Sequence, residues 1–572
     1  YNLSPKLFSN MKYIFNFFLF TYFSFVSLAI TSDTESNAKL FGSLPDVSNV
    51  KISPNGKFVG VQQRTEETIV VKIIDLDNAQ LLSVHNFGSK GQITDFFWAT
   101  DKRLVFTVAR ENSRNTEIYN VGQLVAANID GKRTKLIAGF GSAPDSRQGV
   151  RNRDRTNPDR PAIIVHRLPK DSNKILVSFF DNAGFNELAE LDINNGKVSY
   201  VTTSPVIYPN WIFNNEGKLM GVSSSTLENN SEIFLFKPNL PQGSLSSRQC
   251  SQKQNCYVPP IREDNKRPGW VFFKDFEFPK GASIEGFTPN GKMMVTEYMD
   301  ENTSGLYEYD LKENTYELIF RDSRVDITAV ASSLDDGPYG IRLDNGKPEY
   351  LYLSEPNRLK NLHLKFYEAF PAQKTTITSY SKDYSRAVGI VMADVNPGTY
   401  YLMDMEKNQI SPLGRYWSKT SYDSLAEMKV INFKNRYGDE IQSYFTEAVG
   451  KKNAPTIVMP HGGPWARDYW GFHPEVQFLA AEGFNVLQNN IRGSTGYGLE
   501  HTAHVYGNFA NVLTDMFDSI EYLDSEGVID KNNVCVYGGS YGGYAATQGP
   551  MMRPDLFKCC LLYTSPSPRD RQ

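Results

Sequence analysis

Gly538-Gly539-Ser540-Tyr541-Gly542 places a serine between glycines two residues to either side. The spacing is that of a nucleophile elbow, in which a serine stands on a sharp turn between a strand and a helix. Such a turn strains the serine backbone and crowds positions −2 and +2, so both neighbours must be small. The hydroxyl then projects above the sheet. Unpaired N–H groups at the helix N-terminus face any oxyanion that forms on a substrate carbonyl. The flanks are of the required kind: Val534–Tyr537 reads as a short buried strand, and Gly542 onward reads as the start of a helix. The alternative is a glycine-rich turn that merely packs.

Strands and helices alternate around this stretch. Met428–Phe433 and Ile441–Glu447 read as strands about a Tyr437-Gly438-Asp439 turn, and Thr456–Met459 as a compact apolar strand. A helix over Pro474–Glu482, a strand over Phe484–Gln488 and a helix over Asp515–Glu526 follow. In the last helix Met516, Phe517, Ile520 and Leu523 fall at helical spacing. Strands alternating with helices imply βαβ units and a mostly parallel sheet.

The region from about 44 to 420 is different, with short strands and turns and hardly a helical period. A polar turn followed by an apolar run recurs at Ser53–Lys57, Thr100–Arg103, Pro169–Ser172, Asn215–Lys218, Thr288–Lys292, Ser333–Gly337 and Ser381–Tyr384. Four of the six steps between these turns are 45–48 residues and two are 70 and 74. The shorter step matches a four-stranded propeller blade of about 40–50 residues. The reading is seven blades with insertions near 140–160 and 235–270; an irregular β-sandwich is the alternative.

Over 572 residues, 60 Lys+Arg against 64 Asp+Glu give a net charge of −4 without a basic face. That argues against nucleic acid as a partner. Met11-Lys12 precedes an apolar run over 13–30 with small residues at Ser27-Leu28-Ala29, the pattern of a signal peptide. The expectation is secretion or a periplasmic location, with a membrane anchor at 13–30 as the alternative and residues 1–10 as untranslated leader. Cys250 and Cys256 are candidates for a small disulfide, whereas Cys535 in the elbow strand reads as a buried small hydrophobe. No cysteine has metal-ligand company, so no metal and no cofactor are expected.

Three blocks together, His461-Gly462-Gly463-Pro464, Asn490–Gly498 (Asn-Ile-Arg-Gly-Ser-Thr-Gly-Tyr-Gly) and Gly538–Tyr544, resemble the prolyl oligopeptidase family of serine peptidases. The likeness is to the branch of acylaminoacyl and dipeptidyl peptidases. It implies a β-propeller over 44–420 capping an α/β-hydrolase domain over 421–560. Ser540 then matches the nucleophile, and the backbone N–H groups of Tyr541 and Gly463 match the oxyanion donors. His461 and Arg492 become candidate substrate contacts, with loop shaping and ion pairing as their respective alternatives. The implied substrates are short peptides, to which the propeller gates access; an esterase and a non-catalytic propeller scaffold are the rival readings. The resemblance says nothing of oligomeric state.

The family order of catalytic groups is Ser, then Asp or Glu, then His. All seven histidines here precede Ser540, and only Asp555 and Asp570 follow it. The expectation from sequence is therefore a truncated chain lacking its catalytic Asp and His, with a non-native tail over 561–572. Such a fragment should be nearly inactive and expose an apolar strand edge.

Overall fold

The computed structural model describes residues 34–88, 91–111, 118–139, 160–168, 173–180, 186–204, 206, 209–225, 231–237, 269–272, 282–313, 315–418 and 420–562. The apolar run at 13–30, the Cys250/Cys256 pair and most of both insertions lie outside these residues. Among the described residues no helix is long and apolar enough to cross a membrane.

Antiparallel sheets follow one another along the first three-quarters of the chain. Six are four-stranded, spanning 47–85, 92–138, 162–203, 210–272, 283–321 and 374–415. The expected count of seven blades is thus corrected to six four-stranded blades. The remaining repeat unit forms a three-stranded sheet over 329–352, after which the chain turns into a helix, Arg358–Ala369, where a fourth strand was expected. The local sequence explains the helix. The Asn357 side chain accepts from the N–H groups of Leu359 and Lys360, and Leu359, Leu362, His363 and Phe366 bury one face at helical spacing.

Six of the seven repeat turns join the first and second strands of their sheets; Pro169–Ser172 falls in the matching gap, outside the described residues. The Asn and Asp residues at these turns fold the backbone through their side chains. Asn55 Oδ1 accepts from Lys57 N at 3.1 Å, and Asp383 Oδ1 from Ser385 N at 3.1 Å. Apolar cores form between successive blades. Phe97, Val105 and Leu124 pack on Ile175, Val177 and Leu191, and Val50, Ile52 and Val59 pack on Val388 and Tyr400. The latter contact closes the ring, reinforced by Ile52 N donating to Ser379 Oγ at 2.7 Å and Arg386 to Gly56 O at 3.0 Å.

The second unit is a six-stranded sheet built from β1 (Met428–Lys434), β2 (Glu440–Thr446), β3 (Thr456–Val458), β4 (Asn485–Asn490), β5 (Val534–Gly538) and β6 (Phe557–Leu562). The strand order is β1-β2-β4-β3-β5-β6; the β1–β2 and β2–β4 pairs are antiparallel and the rest are parallel. Helices Pro474–Ala481, Thr514–Ser525 and Tyr541–Met552 connect the strands. Met516, Phe517, Ile520 and Leu523 bury one face of the middle helix against Phe445, Val458, Leu487, Val534 and Val536. Residues Lys558 to Leu562 of β6 are exposed.

Cys535 is not an isolated hydrophobe: it is disulfide-bonded to Cys559, with Cα atoms 4.7 Å apart. The parallel register of β5 on β6 sets the two residues opposite each other, which the sequence around Cys535 does not announce.

The propeller meets the sheet unit through the strand ends opposite the repeat turns. Leu499 N donates to Asn302 O at 2.8 Å, Asp326 N to Gly496 O at 3.0 Å, and Met428 N to Asp394 Oδ2 at 2.7 Å. Because strands alternate direction within a blade, the repeat turns gather at the far end. There Pro54, Asp101, Glu216, Pro289, Asp335 and Lys382 line a cavity of about 970 Å³.

Candidate active site

Ser540 has φ 56° and ψ −121°, a left-handed conformation that a non-glycine residue adopts only under constraint. It ends the turn out of β5, and the helix Tyr541–Met552 begins at the next residue, so the strand–turn–helix expected from the motif is present. The glycine requirement is also visible. A Cβ on Gly542 would meet Pro460 O at 2.2 Å, and one on Gly538 would meet the Gly542 carbonyl carbon at 2.5 Å. A side chain at 542 would force the elbow away from the neighbouring loop, and one at 538 would open the elbow turn itself.

That loop follows β3 and contains His461-Gly462-Gly463-Pro464. It lies directly on the serine, since a Cβ on Gly462 would stand 3.5 Å from Ser540 Cβ. Gly463 has φ 125° and precedes a cis proline; a Cβ there would meet Trp465 N at 2.7 Å, so only glycine fits. Tyr541 occupies the first helical position, where backbone N–H groups have no intrahelical acceptor. The elbow and the loop thus bring together Ser540, the Tyr541 backbone and the Gly462–Gly463 backbone.

The two candidate substrate contacts are placed differently. His461 Nδ1 lies 2.7 Å from Gly462 O and Nε2 lies 2.9 Å from Ser494 Oγ, so the ring ties its own loop to the Asn490–Gly498 segment. Burial pushes its pKa below the ordinary histidine range and favours the neutral ring. Arg492 is also buried; its guanidinium pairs with Asp515 at 2.9 Å, and its N–H donates to Asp515 Oδ2 at 2.8 Å. Two further polar groups near the motif blocks are likewise engaged. His501 Nε2 lies 3.1 Å from Ile491 O, and Asp555 pairs with Arg553 at 2.7 Å.

Sequence reasoning missed a second layer. Arg467, just beyond the loop, donates to Asp344 O of the propeller at 3.0 Å and to Tyr497 Oη at 2.7 Å. Tyr497 also donates to Gln442 and accepts from Asn490. Asp326 accepts from Ser304 N within the propeller at 2.9 Å and from Gly498 N at 3.2 Å. Both glycine-rich segments are therefore bolted to the propeller. Among the described residues, no cluster of three or more His, Cys, Asp or Glu side chains could hold a metal ion.

Comparisons with known proteins agree with this architecture. The sequence model of the prolyl oligopeptidase family matches residues 470–566. The chain is 24% identical over 544 residues to dipeptidyl aminopeptidase BIII of Pseudoxanthomonas mexicana, covering 92% of this chain and 71% of that one. It is 40% identical over 112 residues to dipeptidyl peptidase family member 6 of Caenorhabditis elegans, covering 19% of this chain and 15% of that one. Among solved structures, a puromycin hydrolase superposes with TM-score 0.58 at 14% identity, over 92% of this chain and 79% of that one. At this identity the structural likeness bears on the fold alone.

Proposed function

We propose that this chain, whose residues 470–566 match the prolyl oligopeptidase family of serine peptidases, hydrolyses short peptides through an acyl-enzyme on Ser540. In this reading Ser540 Oγ attacks the scissile carbonyl, and the carbonyl oxygen turns into the space between the Tyr541 and Gly463 N–H groups. Each such donor contributes roughly 10²–10³-fold to the rate. The observation that carries the proposal is the strained Ser540 backbone at a strand–helix elbow, pressed against a loop in which position 463 admits only glycine.

The attack needs a base to take the serine proton. None of the seven histidines follows Ser540 as the family order requires. Turnover is accordingly expected to rise with added imidazole, which can serve as an external base. The propeller restricts substrates to those small enough to reach the elbow. The Cys535–Cys559 disulfide supports an oxidising compartment, in keeping with export by residues 11–30.

The test is a panel of chromogenic acyl-peptides, dipeptides and simple esters, assayed with and without imidazole on the native chain and on Ser540→Ala. Peptide turnover that disappears in Ser540→Ala is the expected outcome. Turnover of esters alone assigns an acyl hydrolase instead. Peptide turnover unchanged in Ser540→Ala overturns the nucleophile assignment.

A further inference from the structure

In three successive blades the first strand, or the residue just after it, brings Lys51, Phe97 and Arg167 to the wall of one cavity. It is the space of about 970 Å³ at the propeller end opposite the sheet unit. Two cations share a single carboxylate there. Asp95 accepts from Lys51 Nζ at 2.6 Å and from Asn49 Nδ2 at 2.8 Å, and Lys51 also donates to Phe96 O at 2.7 Å. Arg167, by contrast, has neither a hydrogen bond nor an ion pair among the described residues. Its guanidinium lies over the Phe97 ring, 4.5 Å from the centroid.

A cation inside a protein is costly unless an anion meets it, because it has given up part of its water. Both cations feel that cost. Desolvation pushes the pKa of Lys51 and of Arg167 down, and Asp95 opposes the fall in each. Arg167 itself adds to the fall at Lys51. One positive charge is thus left over. Protein crowds Arg167, yet the cavity keeps its side chain exposed. Phe97 covers one face of the guanidinium and leaves the N–H edge, which takes a carboxylate by two parallel bonds. The rim sets the charge of the ligand. Lys174 and Arg358 have carboxylates of their own, Glu190 and Asp336, and Lys382 is outnumbered by Asp101, Glu216 and Asp335. A dianion meets repulsion at this rim, whereas a single negative charge matches the surplus within.

We propose that Arg167, supported by the charge of Lys51, forms a second binding site for a carboxylate at the propeller end opposite the sheet unit. The carboxylate belongs to a small organic acid or to the C-terminus of a peptide. Arg167 holds its oxygens, and the rings of Phe97 and Tyr380 in the same wall take the apolar body of the ligand. The site does not rest on the peptidase reading, since it uses no group near Ser540.

Calorimetry on the Ser540→Ala chain tests this, because the proposed nucleophile then consumes no ligand. The titrants are benzoate, benzamide, inorganic phosphate, and acetyl-Ala-Ala-Ala as the free acid and as the amide. At least one acid should bind about tenfold more tightly than its amide, the order that a charge-assisted hydrogen bond supplies. A larger acid-to-amide ratio for benzoate assigns the site to small acids, and a larger ratio for the tripeptide assigns it to peptide C-termini. Phosphate should bind more weakly than the preferred acid. Arg167→Gln should erase the preference for acid over amide, and Arg167→Lys should recover part of it. Without ligand, Arg167→Gln should melt no lower than its parent, because the residue lost has no partner among the described residues. With the preferred acid present, the parent should gain melting temperature and Arg167→Gln should not. Equal or undetectable binding of acids and amides overturns the proposal, as does a preference that survives Arg167→Gln. A lower melting temperature of ligand-free Arg167→Gln also overturns it, by showing that the guanidinium already has a partner. Phosphate binding more tightly than either acid overturns the assignment of a singly charged ligand. Peptide turnover lost in Ser540→Ala is decided separately, so either reading can fail without the other.

Discussion

The Arg467 guanidinium crosses from the nucleophile-bearing unit to the propeller and donates to the main-chain oxygen of Asp344 at 3.0 Å. The same side chain lies over the Tyr497 ring, 4.2 Å from its centroid, and belongs to the segment that carries Gly463. Docking of the propeller and placement of the His461–Pro464 loop are therefore one structural event.

Arg467→Ala should uncouple the two. It leaves the Tyr497 hydroxyl and the Asp344 carbonyl short of a donor in a buried setting, a loss on the order of 1–3 kcal/mol. Thermal unfolding followed by circular dichroism should show a lower midpoint, and peptide turnover should fall with it. Arg467→Lys should recover little, because a point charge cannot serve both acceptors and stack on the ring. Full recovery by lysine would show that only the charge matters.

Gly542→Ala should damage the elbow more than any surface change. The added methyl would sit 2.2 Å from Pro460 O, which is backbone and cannot swing aside. Overpacking of this kind costs about 1–3 kcal/mol, and the displaced loop carries Gly463. Labelling of Ser540 by a fluorophosphonate, compared between native chain and variant, reads the effect directly.

Reduction of Cys535–Cys559 should lower stability without touching the nucleophile. The bridge spans 24 residues of sequence, for which loop-closure entropy gives about 3 kcal/mol. A melting curve with and without dithiothreitol, repeated on Cys559→Ser, checks it. If the disulfide carries the effect, the variant melts at the reduced protein's midpoint and does not respond to the reductant.

Asp468 predicts a pH dependence. Burial pushes its carboxyl up to about 6, partly opposed by His473, Gln488 and Arg467 facing it. A carboxyl whose folded pKa exceeds its unfolded value stabilises the fold in its protonated state. That contribution is complete below about pH 4 and is lost as pH rises through about 6, by at most about 3 kcal/mol. Asp468→Asn should flatten the stability profile between pH 4 and 7. An identical profile in the variant would assign the titration elsewhere.

The elbow was legible in the sequence because its constraint is local: positions 538, 540 and 542 meet one another across a single turn. The strand and helix around it followed from short-range patterns, and so did the blade period. The helix at Arg358–Ala369 was also written locally, in Asn357 and the spacing of Leu359, Leu362 and Phe366, but the regular β-repeat on either side masked it. The Cys535–Cys559 bridge was hidden because it depends on the register of two parallel strands joined through a helix. Arg467 was hidden for a similar reason: Asp344 is 123 residues away and contributes a carbonyl, which no residue type advertises.

The helix Thr34–Phe41, which precedes the first blade, packs on the helix Pro474–Ala481 of the second unit. Thr34 and Asn37 donate to Glu482, at the end of the helix Pro474–Ala481. These contacts join residues 448 and 445 positions apart, so they cannot form until synthesis has passed Glu482. Closing a segment that long costs entropy before any contact repays it. During synthesis the blades have every opportunity to assemble before the helix Thr34–Phe41 can dock, as a clasp fastened over a finished ring.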